Sequence, residues 1–202
     1  VSTPMVSLAA HRFKCQIGVV LTASHNPPSY NGYKLKADFG GPLAPEHVQQ
    51  VEDLIPDVCT IDYSDMDLDA HREGGKLLVD DIETMYVDHV KTNFDLDAIQ
   101  SSGLKLIYDA MYGAGQRVLP RILPNVDLLH CEYNPSFMGQ APEPIGKNLK
   151  ELEIVIKSTG SFDCALATDG DADRIGMFNG AGEFIDSHHL ILLLIHLSLI
   201  HI

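Results

Sequence analysis

Basic side chains are scarce in this chain: 14 Lys and Arg stand against 28 Asp and Glu, a formal charge of −14 over 202 residues. That balance argues against nucleic acid or an anionic membrane as partner, because a phosphate backbone demands a basic surface. Cysteine is sparse as well. Cys15, Cys59, Cys131 and Cys164 lie far apart with no C-x-x-C pair, which excludes a small disulfide-stapled scaffold and predicts reduced thiols in a cytoplasmic protein. The ten histidines show no metal-ligand spacing; the His188-His189 doublet is expected to open a helix rather than to bind zinc. No apolar run reaches bilayer length, since Leu190 to Ile202 is short and broken by His196 and Ser198. Initiator Met and signal peptide are both lacking, and Val1-Ser2-Thr3-Pro4 enters as if mid-domain. The apolar tail then reads as the opening helix of a further domain, cut off.

What is present is ordinary globular material, 45% hydrophobic and 21% charged, in a chain long enough for one large or two modest domains with real cores. Strand signals at Ile17 to Ala23, Leu104 to Ala110, Val126 to Tyr133, Phe162 to Thr168 and Arg174 to Phe178 alternate with helical ones, which is α/β grammar. Pro45 opens a predicted helix whose Val48, Val51, Leu54 and Ile55 form one apolar face, and Pro56 ends it. Asp81 is expected to cap a second helix burying Ile82, Met85, Tyr86 and Val90. Leu149, Leu152 and Ile156 mark a third, which stops near Gly160. The acidic, turn-rich stretch from Asp57 to Gly75 predicts a domain boundary between Lys76 and Asp81. Gly113-Ala114-Gly115 lacks the last glycine of G-x-G-x-x-G, Val118 standing there, and reads as a tight strand-to-helix turn. Asn179-Gly180-Ala181-Gly182 reads as a hairpin loop.

Two short stretches carry the chemistry. Thr22-Ala23-Ser24-His25-Asn26-Pro27-Pro28 follows the apolar run Ile17, Val19, Val20, Leu21, which reads as a buried strand, and the prolines stop any helix after it. The Ser24 hydroxyl thus sits on a loop at a strand end, where open α/β sheets collect ligands; taken alone, the run also fits a turn held by local side-chain hydrogen bonds. The second stretch, Asp169-Gly170-Asp171-Ala172-Asp173-Arg174, follows Cys164 to Ala167. In an extended segment residues two apart point the same way, so three carboxylates can converge on one cation. Hard oxygen ligands select Mg²⁺, Mn²⁺ or Ca²⁺, although a solvated acidic loop remains the bland reading. A calcium loop of the EF-hand kind is disfavoured, because Arg174 stands where its glycine should be and Gly180 where its bidentate Glu should be.

Together the two motifs resemble those of the α-D-phosphohexomutase superfamily, the phosphoglucomutases and phosphomannomutases, with further likeness at Asn31-Gly32-Tyr33-Lys34, Asp109 to Gly115 and Pro142-Glu143-Pro144. The resemblance implies tandem α/β domains with mixed sheets sandwiched by helices: residues 1–78 as the later part of a first domain, 79–183 as a second, and 184–202 as the truncated start of a third. It implies a mutase that moves phosphate between O1 and O6 of a hexose through phosphorylated Ser24 and a hexose 1,6-bisphosphate. One Mg²⁺ would be held by Asp169, Asp171, Asp173 and Ser24. Lys34 would move the sugar hydroxyl proton, its pKa lowered by adjacent cations; His25 would line the phosphoserine, and Arg174 would contact the phosphate with its planar fork. The expected partner is a phosphosugar, met by Lys34, Lys36, Arg174 and the metal. The wording from Pro28 to Lys34 looks more like the glucose/mannose branch than the glucosamine branch. The superfamily's N-terminal arginine motif, sugar-recognition loop and fourth-domain phosphate loop have no counterpart here, so the chain alone is expected to be inactive. Two rivals remain at this point: a haloacid-dehalogenase-like phosphatase using Asp169, and a non-catalytic module that binds metal or sugar phosphate.

Overall fold

Leu106 and Ile107 are neighbours in sequence and belong to different apolar clusters. Successive side chains of a strand leave on opposite faces, and in the computed structural model, which describes residues 1–199, both faces of the main sheet are covered. In chain order the first elements are α1 (Thr3–Arg12), β1 (Gly18–Leu21), β2 (Tyr33–Lys36), α2 (Pro45–Glu52) and α3 (Leu68–Glu73). There follow α4 (Ile82–Asn93), α5 (Leu96–Ser101), β3 (Leu106–Asp109), α6 (Leu119–Ile122) and β4 (Asp127–Leu129). The last are α7 (Lys150–Thr159), β5 (Cys164–Thr168), β6 (Ile175–Asn179), β7 (Phe184–Ile185) and α8 (Ser187–Leu199).

The main sheet has the order β4-β3-β5-β6-β7. β3 runs parallel to β4 and β5, while β5–β6 and β6–β7 are antiparallel, so the sheet is mixed. On one face Leu149, Leu152 and Ile156, three and four residues apart along α7, pack on Ile107, Ala165, Ala167 and Phe178. Gly160, in the left-handed region at φ 58°, ends that helix. On the other face Met5 of α1, Val87 of α4, and Val118, Ile122 and Leu123 around α6 close over Leu106 and Val126. The α/β class expected from the sequence is the class observed, and the Gly113 turn and the Asn179 hairpin take the forms read from it. The four cysteines form no disulfide, and among the described residues no helix is long and apolar enough to cross a membrane.

Several local expectations need correction. The sequence predicts a buried β1, yet among the described residues this strand pairs only with β2, and Ile17, Val19 and Leu21 are exposed while Val20 is covered. Of the apolar face expected on α2 only Val48 is half-buried: Val51, Leu54 and Ile55 are exposed, and the helix stops at Glu52. Helices α1, α3 and α5 are additions to those expected from the sequence, each behind a Ser or Asp cap. The tail helix is present as α8, opened at His188 and His189 by the Asp186 carboxylate, with Ile200, His201 and Ile202 outside the described residues.

Candidate active site

The hairpin of β1 and β2 sets Val20 opposite Lys34 and Leu21 opposite Tyr33, so Lys34 stands at the root of the connecting loop that carries Ser24. The Thr22 amide donates to the Gly32 carbonyl at 3.0 Å and closes the loop's base. Side-chain space at Gly32 is denied, since a Cβ there would lie 2.7 Å from the Thr22 carbonyl oxygen. Ser24 itself is buried, at φ 53°, with its amide held by Thr22 Oγ1 at 2.8 Å. A left-handed backbone at a non-glycine residue costs about 1 kcal/mol or more and persists only where its surroundings enforce it.

The enforcing element comes from the far end of the chain. Ser24 Oγ donates to Asp169 Oδ2 at 3.1 Å across 145 residues, and a Cβ on Gly170 would stand 2.4 Å from the Ser24 carbonyl oxygen. Gly170 therefore permits the two loops to interlock, and its amide donates to the Pro142 carbonyl at 3.2 Å. Gly113 allows a second close approach, because a Cβ there would come 2.8 Å from the Asp169 carbonyl oxygen. The strand-to-helix turn after β3 thus supports the aspartate loop from beneath.

Asp169, Asp171 and Asp173 do converge: one oxygen from each lies within 4.8 Å of the others. They converge through a turn and not through the extended segment expected from alternation. Ala172 adopts φ 55°, its amide donates to the Asp169 carbonyl, and Asp169 Oδ1 accepts from the amides of Asp173 and Arg174 at 2.9 and 3.1 Å. Two further groups hold Asp171. Lys34 Nζ donates to Asp171 Oδ2 at 2.8 Å and reaches Asp173 Oδ2 at 3.3 Å, while Thr3 Oγ1 donates to Asp171 Oδ2 at 2.6 Å. The Thr3 amide also donates to the Asp171 carbonyl at 2.9 Å. Thr3 escapes the sequence reading. Ser2-Thr3-Pro4 carries a helix-start signal, but nothing in it points to a loop 168 residues away.

Burial and the neighbouring Asp171 charge raise the Asp169 pKa. Asp171 moves the other way: burial opposes ionisation there, and the hydrogen bonds from Lys34 and Thr3 more than offset it. For Lys34, burial pulls the pKa down, but the Asp171 hydrogen bond and the charges of Asp171 and Asp173 outweigh it and leave a net rise. The neighbours of Lys34 in this structure are carboxylates, which hold it as an ammonium; the lowering expected from adjacent cations concerns a site that holds them.

The donor set fits a hard divalent cation. It consists of carboxylate oxygens, and Asp171 Oδ1 is buried with no hydrogen-bond partner among the described residues, an acceptor that a cation would satisfy.

The profile described as "Phosphoglucomutase/phosphomannomutase, alpha/beta/alpha domain I" matches residues 1–59, and that of "alpha/beta/alpha domain II" matches residues 84–182. The chain belongs to the phosphoglucomutase/phosphomannomutase family. A phosphoglucomutase/phosphomannomutase of Thermococcus kodakarensis is 35% identical over 191 residues, 91% of this chain and 40% of that protein. A phosphoglucosamine mutase of Alkaliphilus oremlandii is 32% identical over 195 residues, 93% of this chain and 41% of that protein. Among solved structures, a candidate phosphomannomutase from Thermus thermophilus superposes with a TM-score of 0.78 at 34% identity, covering 93% of this chain and 42% of its own. The chain thus spans about two-fifths of the length of the relatives it matches.

Not every residue singled out in this member of the phosphoglucomutase/phosphomannomutase family reaches the cluster with a side-chain bond. His25 is half-buried beside Ser24, and its Nδ1 is buried without a hydrogen-bond partner among the described residues. Arg174 bonds to Asp169 through its backbone, whereas its side chain is exposed and makes no ion pair among the described residues. Lys36 is buried in β2 with its stem against Gly18.

Proposed function

We propose that this chain carries the phosphoserine and metal-binding part of a hexose phosphate mutase, with Ser24 as the phosphoryl carrier. The observation that supports it most is the bond from the strained, buried Ser24 hydroxyl to Asp169, inside a group of three aspartates with an unsatisfied buried oxygen. Phosphoryl transfer needs positioning and charge neutralisation more than covalent chemistry from the protein. A rigid loop serine beside a cation site supplies both.

In this reading phosphorylated Ser24 donates to a free hydroxyl of a hexose monophosphate: the bond from phosphorus to Oγ breaks as one to the sugar oxygen forms. Lys34 can take up the hydroxyl proton only as a neutral amine released from Asp171 and Asp173, which here hold it as an ammonium, and it then returns that proton to the departing Ser24 oxygen. The resulting bisphosphate returns its other phosphate to Ser24, and the phosphate has moved between O1 and O6. Asp169, Asp171 and Asp173 hold a Mg²⁺, with Ser24 completing the set; the ion, when bound, draws charge from the phosphoryl oxygens. His25 lines the phosphoserine with the free nitrogen that faces no protein partner, and Arg174 swings its exposed guanidinium onto the phosphate. The same reading divides the chain near residue 78, ahead of α4. Substrates are glucose or mannose phosphates, on the wording of the loop after Ser24.

The phosphatase alternative is disfavoured because Asp169 accepts bonds from Ser24 and from two amides, which leaves it a holder rather than a free nucleophile. The test is single-turnover transfer of labelled phosphate from glucose 1,6-bisphosphate to a full-length version, since this chain alone is expected to be inactive. Hydroxylamine-stable label on Ser24, absent in Ser24→Ala, is the expected result. Hydroxylamine-labile label on Asp169 would establish the phosphatase, and binding of Mg²⁺ and hexose phosphate without any label would leave a non-catalytic module.

A further inference from the structure

Three carboxylates within 4.8 Å of one another repel strongly, and in this structure the positive charge among them belongs to the chain itself. Lys34 Nζ spans Asp171 and Asp173, at 2.8 and 3.3 Å, and its side chain is about one-third exposed while that of Asp171 is almost wholly buried. The ammonium approaches from the solvent side of a buried anion. Thr3 Oγ1 takes the same Asp171 oxygen, Oδ2, which leaves Oδ1 without a partner. One ammonium with donors to two of the three carboxylates therefore neutralises the cluster incompletely. A divalent ion held by all three would do so better, and even on the free Asp171 Oδ1 its double charge would stand within a few ångströms of the Lys34 ammonium and repel it.

We propose that Lys34 is an internal counter-ion that occupies the aspartate cluster when metal is absent and is displaced when a divalent cation arrives, so that metal binding and release of the Lys34 amine toward the Ser24 loop are one event. This rests on the reading of the three aspartates as a cation site. Its consequence is an ordering: the amine becomes available beside Ser24 only once the cluster is filled. The hairpin register makes this mechanically direct, because Lys34 lies opposite Val20 at the root of the loop that carries Ser24. A swing of one flexible side chain is sufficient, with no backbone motion.

The test has one arm on the wild-type protein and one on variants. Acylation of Lys34 by an N-hydroxysuccinimide acetate, read by mass spectrometry, should rise severalfold on saturation with Mg²⁺, because an amine bonded to two carboxylates is shielded. Unchanged or reduced labelling of Lys34 in a protein that binds Mg²⁺ would overturn the proposal. In calorimetry Lys34→Met should bind Mg²⁺ about tenfold more tightly than wild type, the worth of one charge-assisted hydrogen bond that no longer has to be broken. Lys34→Arg, which keeps the charge, should return affinity toward wild type. With chelator present, Lys34→Met should melt below wild type, and added Mg²⁺ should close that gap. Equal Mg²⁺ affinity in wild type and Lys34→Met would reject the displacement. If wild type binds no Mg²⁺ at all, it is the aspartate site itself that fails, which distinguishes the two ideas.

Discussion

Replacing Gly170 by alanine tests how the two loops hold each other. The added Cβ would stand 2.4 Å from the Ser24 carbonyl oxygen and 3.0 Å from Pro142 Cγ, where ordinary contact begins near 3.4 Å. Gly170 has no positive φ, so the penalty comes from space and not from backbone conformation. Pro142 is fully buried and cannot swing aside, which leaves the Ser24 backbone to retreat by about 1 Å. The bond from Ser24 Oγ to Asp169 Oδ2, 3.1 Å long, then opens beyond hydrogen-bond reach. Overpacking of this kind costs about 1–3 kcal/mol, and a misplacement of about 1 Å at a reacting group costs on the order of a hundredfold in rate. Urea unfolding should show the first, and the rate of phosphate incorporation at Ser24 the second. Gly160→Ala is the control. Its Cβ meets nothing within 4 Å, but its φ of 58° makes alanine strained by about 1 kcal/mol. It should lose stability while labelling Ser24 at the wild-type rate. A Gly170→Ala protein with wild-type stability and labelling would refute the interlock.

Thr3→Val removes the hydroxyl on Asp171 at 2.6 Å; it should lower stability by about 1 kcal/mol, and a side-by-side calorimetric comparison of Mg²⁺ affinity with wild type should show a clear change. Leu152→Ala, at the fully buried centre of the α7 face, should cost about 2–5 kcal/mol by denaturant titration without altering the aspartate cluster. His130 bonds through Nδ1 to buried Asp109 and through Nε2 to Glu151, and its pKa is raised chiefly by the Asp109 hydrogen bond. Its contribution is fully present below the ordinary histidine value and is lost as pH rises through the raised one. The stability gap between wild type and His130→Gln should therefore shrink on going from mildly acid to alkaline pH, and a gap that widens would reverse the assignment.

The strands of the main sheet were legible as short apolar runs, β5 most clearly between Asp163 and Asp169, and α7 because Leu149, Leu152 and Ile156 keep helical spacing to Gly160. Helix α1 was missed although Ser2 caps it and Pro4 opens it; its buried residues include small Ala9 and Ala10, which give little periodic signal. The aspartate triplet was readable as a ligand set but not in its geometry. Its turn depends on Ala172 at positive φ, a conformation that alanine does not advertise, and Ser24 shows the same. Apolarity in β1 was read correctly as composition and wrongly as burial, since hydrophobicity records what a residue prefers and not what lies against it. Thr3 and the carboxylate partners of Lys34 are contacts across more than a hundred residues, beyond the reach of any local pattern.

The span of 145 residues between Ser24 and Asp169 also sets a clock on synthesis. A ribosome adding about 5–20 residues per second needs roughly 7–30 s to pass from the serine to the aspartate. Throughout that interval the nascent chain can fold its hairpin and α4 but has no anion to hold the hydroxyl and no acceptor for the Lys34 ammonium. The loop is then free of the interlock that enforces its left-handed serine. Synonymous codons that slow translation between the two motifs should lengthen this open phase, leaving the Ser24 segment sensitive to proteolysis on stalled ribosomes until the aspartate loop emerges.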